Sequence, residues 1–491
     1  MRKITGFIPA RDGAGLAFDA WLPDGDDPFP AVVTRTPYNR WRYHEEEGSP
    51  WTRVVEAGYA HVGVDVRGRG DSPGEFVPFV HDGHDGYDVV EWVAAQDWCT
   101  GKVGGIGGSY DAVTQWWAAR HQPPSLKCAI PIAVSPQGYG DAGSLAFSGG
   151  VPMAYWIWWF AFLQGGSQKG VVKLDWDEVL SHPAAEVSVA AGLNDAFQHH
   201  WAEYLAGRLG YGSSDWSIDP AEVQIPTLVV NGLWDDPKTF QWWEQLVAAS
   251  PAQHRLLAGV WDHAGNAAPR PVLGGIDVST GILDPVPVWI EFLDTYLKDQ
   301  PPAVAPPVVQ IARSGSNTWE THDAWPLPST PVTHSFGPAA WKHDPTNPLK
   351  PGGGTDLSSA DAPLAASAFD GRADVVTFEL PPATVPEDYS GRPTVTVTVA
   401  QDQPGTVVLW LSDIGPDGEG MRMGFWPSVH AHSGDGAQTL GIEMPHLHHR
   451  LVPGHHWQIS MASSFAPIYV HGLVSEEVQL LSGELSLPRE R

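Results

Sequence analysis

Short apolar runs separated by polar or glycine-rich loops mark the first part of the chain. Ala31 to Thr34 and His61 to Val66 are β-type runs, each ending in such a loop. The period then changes: Val89, Val90, Trp92 and Val93 recur at helical spacing within Asp85 to Gln96. Val103 to Gly107 predicts a strand, and Ala112 to Arg120 a helix stopped by Pro123 and Pro124. Leu126 to Val134, Thr227 to Val230 and Leu256 to Gly259 predict further strands, and Val288 to Lys298 a closing helix. Continuous apolar strands alternating with helices predict an α/β fold, a mostly parallel sheet covered on both faces. In such sheets the working residues lie on loops beyond the carboxyl ends of the strands.

This alternation breaks down between residues 142 and 221. The segment is rich in Trp and Ala, with helical patches at Tyr155 to Leu163 and His199 to Leu209, and predicts a helical insertion over the sheet. Pro301 to Pro307 forms a stiff linker. Beyond it the texture is all-β, through Val375 to Leu380, Pro393 to Ala400, Thr406 to Ser412 and His456 to Met461. Val395, Val397 and Val399 alternate with threonines, as in an antiparallel sandwich. The expected division is a core over 1–141 and 222–300, a cap over 142–221 and a β-domain over 301–491.

The chain has 491 residues, and its 57 acidic against 28 basic residues give a net charge of −29. So negative a surface repels phosphate backbones and anionic lipid heads, which excludes nucleic acid and anionic membranes as partners. The strongly apolar stretch around Tyr155 to Leu163 is far below the ~20 residues of a membrane span. The N-terminus lacks the apolar core of a signal peptide, so a cytoplasmic location is expected. Cys99 and Cys128 have no metal spacing and are expected as plain buried thiols. The 24 tryptophans supply large apolar area with one polar handle each, and some are expected to line pockets.

A literal G-x-S-x-G motif occurs at Gly70 to Gly74, around Ser72. The residue after a nucleophilic serine at a strand–helix elbow must donate its backbone N–H and open a helix. Pro73 has no N–H, and Gly74 to Pro78 is not helical, so Ser72 is set aside. Ser109 meets the demands better. A β-run leads into it, Gly107 and Gly108 permit a tight turn, and a helix follows with Tyr110 able to donate its N–H. Taken alone, Ser109 equally fits a serine capping a helix after a glycine turn. Its downstream partners tip the balance. The run Thr227 to Val230 leads to Asp235, and Leu256 to Gly259 leads to His263, both just past strand ends and in the chain order Ser, Asp, His.

With these residues in place the sequence resembles the cocaine esterase family of serine hydrolases, relatives of the α-amino-acid ester hydrolases and X-Pro dipeptidyl peptidases. The resembling segments are Thr34 to Tyr38 (TRTPY), Asp65 to Phe76 (DVRGRGDSPGEF), Gly107 to Tyr110, Gly232 to Asp235 and Gly259 to His263. In the last domain Trp325 to Pro328 and Arg450 to Ser460 also match. The resemblance implies an α/β-hydrolase core, a helical cap and a C-terminal jelly roll. It implies Ser109 as nucleophile, Asp235 as acid, His263 as base, and the Tyr38 phenol as oxyanion donor beside the Tyr110 N–H. It also implies a cap that overhangs the nucleophile, where one or two of Trp156, Trp158 and Trp159 shape a pocket for a bulky or aromatic acyl group.

Two departures bear on this. Ala112 stands where the family usually has Gly. After Asp235, where α-amino-acid ester hydrolases carry further carboxylates for a substrate ammonium, this chain has Asp236, Pro237 and Lys238. An α-amino ester substrate is therefore disfavoured. The expected activity is hydrolysis of small-molecule carboxylic esters, with amide hydrolysis of acylase or X-Pro type as the alternative. A silent binding protein using the β-domain is a third option that the intact Ser, Asp and His weigh against. His446, His448, His449, His455 and His456 lie among strand and turn residues without a thiol or carboxylate cluster in sequence, so no metal is expected. No cofactor is expected either. The oligomeric state stays open, a homo-oligomer being among the options.

Overall fold

The computed structural model describes residues 1–44, 48–136, 153–164, 174–205, 218–273, 276–349, 372–466 and 475–491. Its first sheet contains β1 (Arg2–Pro9), β2 (Gly15–Leu22), β3 (Phe29–Thr36), β4 (Ala60–Asp65), β5 (Cys99–Gly108), β6 (Leu126–Ile132), β7 (Thr227–Gly232) and β8 (His254–Gly259). The spatial order is β1-β2-β4-β3-β5-β6-β7-β8, followed by the strands Val309–Arg313 and Thr318–His322. From β4 across to Val309–Arg313 every pairing is parallel. The edges are antiparallel.

The parallel strands read as continuous apolar runs because both of their faces are covered. Val32, Ile106, Ile130, Leu228 and Leu257 pack with Trp289, Phe292 and Leu293 of the helix Val286–Leu297. On the other face Val33 and Val62 meet Val89, Val90 and Val93 of helix α2, which follows α1 (Pro50–Glu56) and spans Asp82–Ala94. Helix α3 (Tyr110–Arg120) continues that face. The inserted segment supplies helix α4 (Met153–Gln164) and the helix Asp195–Leu205. The remainder of the second predicted helical patch, 206–209, lies outside the described residues.

Among the described residues a two-stranded ribbon, Val272–Leu273 with Ile276–Asp277, is followed by two further sheets, all of these pairings antiparallel. The larger has the path Gly436–Glu443, Thr394–Gln401, Glu476–Glu490, Glu387–Gly391, Leu447–Leu451, with Ser329–Phe336 and Ala339–His343 also on Glu476–Glu490. The smaller runs Val376–Glu379, His456–Ala462, Gly405–Ile414, Gly420–His432. Val395, Val397 and Val399 face a core shared with Val407, Leu409 and Leu411. This is a mixed α/β sheet with an all-β unit behind it.

Two features depart from the expectation. The hairpin β1–β2 extends the first sheet at its start, and the alternation of Ile4, Gly6 and Ile8 with Lys3, Thr5 and Phe7 carries its signal. Past the proline stretch, Val309–Arg313 pairs with β8 before the chain enters the β-domain. The break in texture near 301 is thus not a break in hydrogen bonding. Among the described residues, no helix is long and apolar enough to cross a membrane.

Candidate active site

Ser109 stands between β5 and α3 with φ 60° and ψ −129°. A non-glycine residue there is strained, at a cost of about 1–3 kcal/mol. The strain sits on the serine itself. Gly107 and Gly108, expected to absorb it, have no positive φ. Gly107 instead makes room for α3, since a Cβ on it would lie 2.6 Å from Asp111 Cβ. The elbow is tied to the next strand by Ser109 N–H donating to the Ile132 carbonyl at 3.0 Å, while Ala112 N–H donates to the Ser109 carbonyl at 2.9 Å and opens the helix.

Tyr38 comes to Ser109 through the sheet order. The chain visits β4 between β3 and β5, yet β3 and β5 are neighbours, so the loop after Thr36 and the elbow after Gly108 share one edge. The Tyr38 hydroxyl lies 3.4 Å from Ser109 Oγ and accepts a hydrogen bond from Trp159 Nε1 at 3.0 Å. Burial, then the nearby Asp111 carboxyl, pushes the phenol up to about 12, with the contacts to Ser109 and Trp159 working the other way. It therefore stays protonated through the neutral range and keeps a hydrogen to donate. Asp111 is buried behind it, bonded by the Tyr43 hydroxyl, and burial pushes its carboxyl up to about 7.

Asp235 and His263 meet from the ends of β7 and β8. His263 Nδ1 is 2.8 Å from Asp235 Oδ1. Their loops are joined along the backbone, with Leu233 N–H donating to the Gly259 carbonyl at 2.9 Å and Trp234 N–H to the Trp261 carbonyl at 3.1 Å. This approach requires glycine: a Cβ on Gly232 would lie 2.1 Å from the Trp261 carbonyl oxygen, and one on Gly259 2.1 Å from the Trp261 ring. Behind the acid, Asn266 Nδ2 donates to Asp235 Oδ2 at 2.6 Å. Trp234 Nε1 donates to the Arg422 carbonyl at 3.1 Å, which fastens the acid loop to the β-domain.

Other singled-out residues are held elsewhere. Ser72 is buried, its hydroxyl donating to the Asp65 carbonyl at 2.7 Å and accepting from Ala17 N–H at 2.9 Å. Asp236 Oδ2 accepts from Ser135 N–H, the Ser135 hydroxyl and the Thr239 hydroxyl, each within 3.1 Å, and Oδ1 from Lys238 N–H. Trp156 is fully buried and Trp159 nearly so, whereas Trp158 is half-buried and stacks on Phe162 at 5.3 Å. Cys99 and Cys128 are buried free thiols. The histidines, which lack acidic neighbours in sequence, gain them in the fold. His449 and His455 bond Asp413, and His446 approaches Glu244. Glu320, His322 and His448 gather within 4.8 Å, but Arg313 already bonds both Glu320 oxygens at 2.6 and 2.8 Å.

The sequence profile of the X-Pro dipeptidyl-peptidase (S15 family) matches residues 12–265, and that of the X-Pro dipeptidyl-peptidase C-terminal non-catalytic domain matches residues 303–486. The chain belongs to the S15 family. The cocaine esterase of Rhodococcus sp. (strain MB1 Bresler) is 28% identical over 94% of this chain and 90% of its own. An α-amino acid ester hydrolase structure has a TM-score of 0.85 at 22% identity, covering 100% of this chain and 96% of that one. An aminopeptidase from a marine sediment Thaumarchaeota archaeon has a TM-score of 0.81 at 19% identity, again covering 100% and 96%. These structural likenesses show the fold. The S15 assignment makes the chain a member of a serine hydrolase family with both esterase and peptidase members. Asn266 and Trp159, which donate to the Asp235 carboxylate and the Tyr38 phenol, were not assigned those contacts from sequence. Asn266 follows His263 by one turn, the one local hint to its place.

Proposed function

We propose that this chain hydrolyses carboxylic esters of small molecules through an acyl-enzyme on Ser109, with an α/β-hydrolase core and a jelly-roll C-terminal domain. The observation that carries this is the protonated Tyr38 phenol 3.4 Å from Ser109 Oγ at a strained strand–helix elbow. That distance is long for a hydroxyl pair. It suits a donor meant for the oxyanion that forms beside Oγ, not for Oγ itself.

In the first step His263 takes the Ser109 proton as Oγ attacks the ester carbonyl, and returns it to the departing alcohol. Asp235, on Nδ1, fixes the imidazole tautomer and stabilises its charged form. The oxyanion is held by the Tyr38 hydroxyl and by the backbone N–H of Tyr110, the first residue of α3. Water then cleaves the acyl-enzyme by the same route. Acyl groups without an α-amino substituent are favoured because the Asp236 carboxylate is already bonded by protein donors and has little to offer a substrate ammonium. Of Trp156, Trp158 and Trp159, Trp158 has surface to offer a bulky acyl group.

Hydrolysis of p-nitrophenyl esters and anilides by wild type and Ser109→Ala tests this. Ester turnover that vanishes in the variant is expected. Turnover surviving in Ser109→Ala would overturn the nucleophile, and anilides cleaved as fast as esters would replace the esterase by an amidase.

A further inference from the structure

We propose that the cap helix α4 is part of the oxyanion machinery, with Trp159 and Arg69 as positioning residues that aim the Tyr38 hydroxyl. This rests on the serine hydrolase assignment of the preceding section and gives the cap a role beyond enclosing substrate.

The first contact is the indole–phenol hydrogen bond. An indole N–H can only donate, so at 3.0 Å the Tyr38 oxygen must accept from Trp159. The phenol's single hydrogen is then left for the side on which Ser109 Oγ lies. The indole has little freedom to turn away. It is 5% exposed, stacks on Tyr110 at 5.3 Å, and meets the edges of Phe76 and Trp156 at 6.2 and 5.8 Å. One turn on, Phe162 packs 5.7 Å from the Tyr38 ring.

The second contact comes from the glycine-rich loop that contains Ser72. Arg69 Nε donates to the carbonyl of Pro37, the residue before Tyr38, at 3.0 Å. Its Nη2 donates to the Leu163 carbonyl in the last turn of α4 at 2.8 Å. Carbonyls there have no partner within the helix, and the helix dipole favours a cation. One guanidinium therefore straps the Tyr38 loop to the end of the same helix that carries Trp159. Glycines set its direction: Gly68 and Gly70 have φ of +71° and +53°, and a Cβ on them would lie 2.2 Å from Phe76 N and 2.1 Å from Asp65 Oδ2. The loop that mimics a nucleophile motif serves to aim Arg69. Tyr38 is thus aimed only while α4 is docked.

The test is a pair of double-mutant cycles on p-nitrophenyl ester hydrolysis by the full chain. Trp159→Phe keeps an aromatic ring, though a smaller one, and removes the N–H; kcat is expected to fall about tenfold with KM within twofold. In the Tyr38→Phe background, which has no hydroxyl to aim, the same change is expected to cost nothing further. Arg69→Gln is expected to lower kcat several-fold and to be equally silent in that background. An unchanged kcat, a loss confined to KM, or a loss that repeats in full without the Tyr38 hydroxyl would overturn the proposal. Ser109→Ala separates the two levels. If it is inactive while Trp159→Phe and Arg69→Gln match wild type, only the aiming role falls; if it stays active, Ser109 is not the nucleophile, and the aiming role falls with it.

Discussion

Asn266 Nδ2 donates to Asp235 Oδ2 at 2.6 Å while His263 Nδ1 stands 2.8 Å from Oδ1 of the same carboxylate. The acid is thereby gripped on both oxygens, and its plane, which sets the direction of the imidazole, is fixed from behind. A hydrogen bond to a charged group is worth about 1.5–3 kcal/mol, which is about tenfold or more in rate where it acts on the transition state. Asn266→Ala is expected to lower kcat about tenfold, and Asp235→Asn on the order of 10⁴-fold, with KM little changed in either. Steady-state ester kinetics read both. Wild-type turnover in Asn266→Ala would remove the asparagine from the machinery.

Tyr38 supplies one of two oxyanion donors in the proposed mechanism. Removing one such donor costs about 10²–10³ in kcat. Tyr38→Phe, which keeps the ring against Phe162, is expected to show that loss without a matching rise in KM. A variant that loses only affinity would assign the phenol to substrate binding.

The strained elbow at Ser109 and the meeting of Asp235 with His263 were legible because each residue is a local event, a chemically suited side chain immediately past an apolar run. Tyr38 was not legible in that way. A tyrosine after a proline carries no local signal, and its approach to Ser109 depends on β3 and β5 being neighbours although β4 comes between them in the chain. It entered only through family resemblance. The continuation of the sheet into Val309–Arg313 was hidden by the prolines before it, since a stiff linker and a crossover look alike without the partner strand. Which cap tryptophans face the site could not be read from an uninterrupted aromatic run, because no polar position marks a side.

Asp111 gives a pH dependence with a definite sign. Its carboxyl is raised from 3.8 to about 7, chiefly by burial, against the pull of Tyr43, Arg42 and Thr36. Between those values the folded protein holds a proton that the unfolded chain has released. Stability from this group is therefore full below about pH 4, falls as pH rises, and is lost above about 7. Asp111→Asn does not titrate. Melting temperatures of both proteins from pH 4 to 8 are expected to shift steadily in favour of the variant as pH rises. A constant difference would mean that Asp111 ionises normally.

Gly232 allows the acid loop to cross the base loop. A methyl there would lie 2.1 Å from the Trp261 carbonyl oxygen, a backbone atom already bonded by Trp234 N–H. Neither side can yield without moving Asp235 or His263. Gly232→Ala is expected to destabilise by about 1–3 kcal/mol, as for overpacked interiors, and to lower kcat beyond what the lost folded fraction explains. Denaturant melts beside active-site titration separate the two losses.

Trp156 and Trp158 are two residues apart on α4 and should respond oppositely to truncation. Trp156 is fully buried against Phe160 and Trp159. Its replacement by Ala opens a cavity and is expected to cost about 3–5 kcal/mol, independent of the ester used. Trp158 is half-buried, and through Phe162 its ring lies one contact removed from Tyr38. Trp158→Ala is expected to leave stability nearly intact and to raise KM several-fold for benzoyl and other bulky esters, with acetyl esters spared. Kinetics across an acyl series, with melting curves for both variants, check this. Equal KM changes for small and large acyl groups would place the acyl pocket away from this face of the cap.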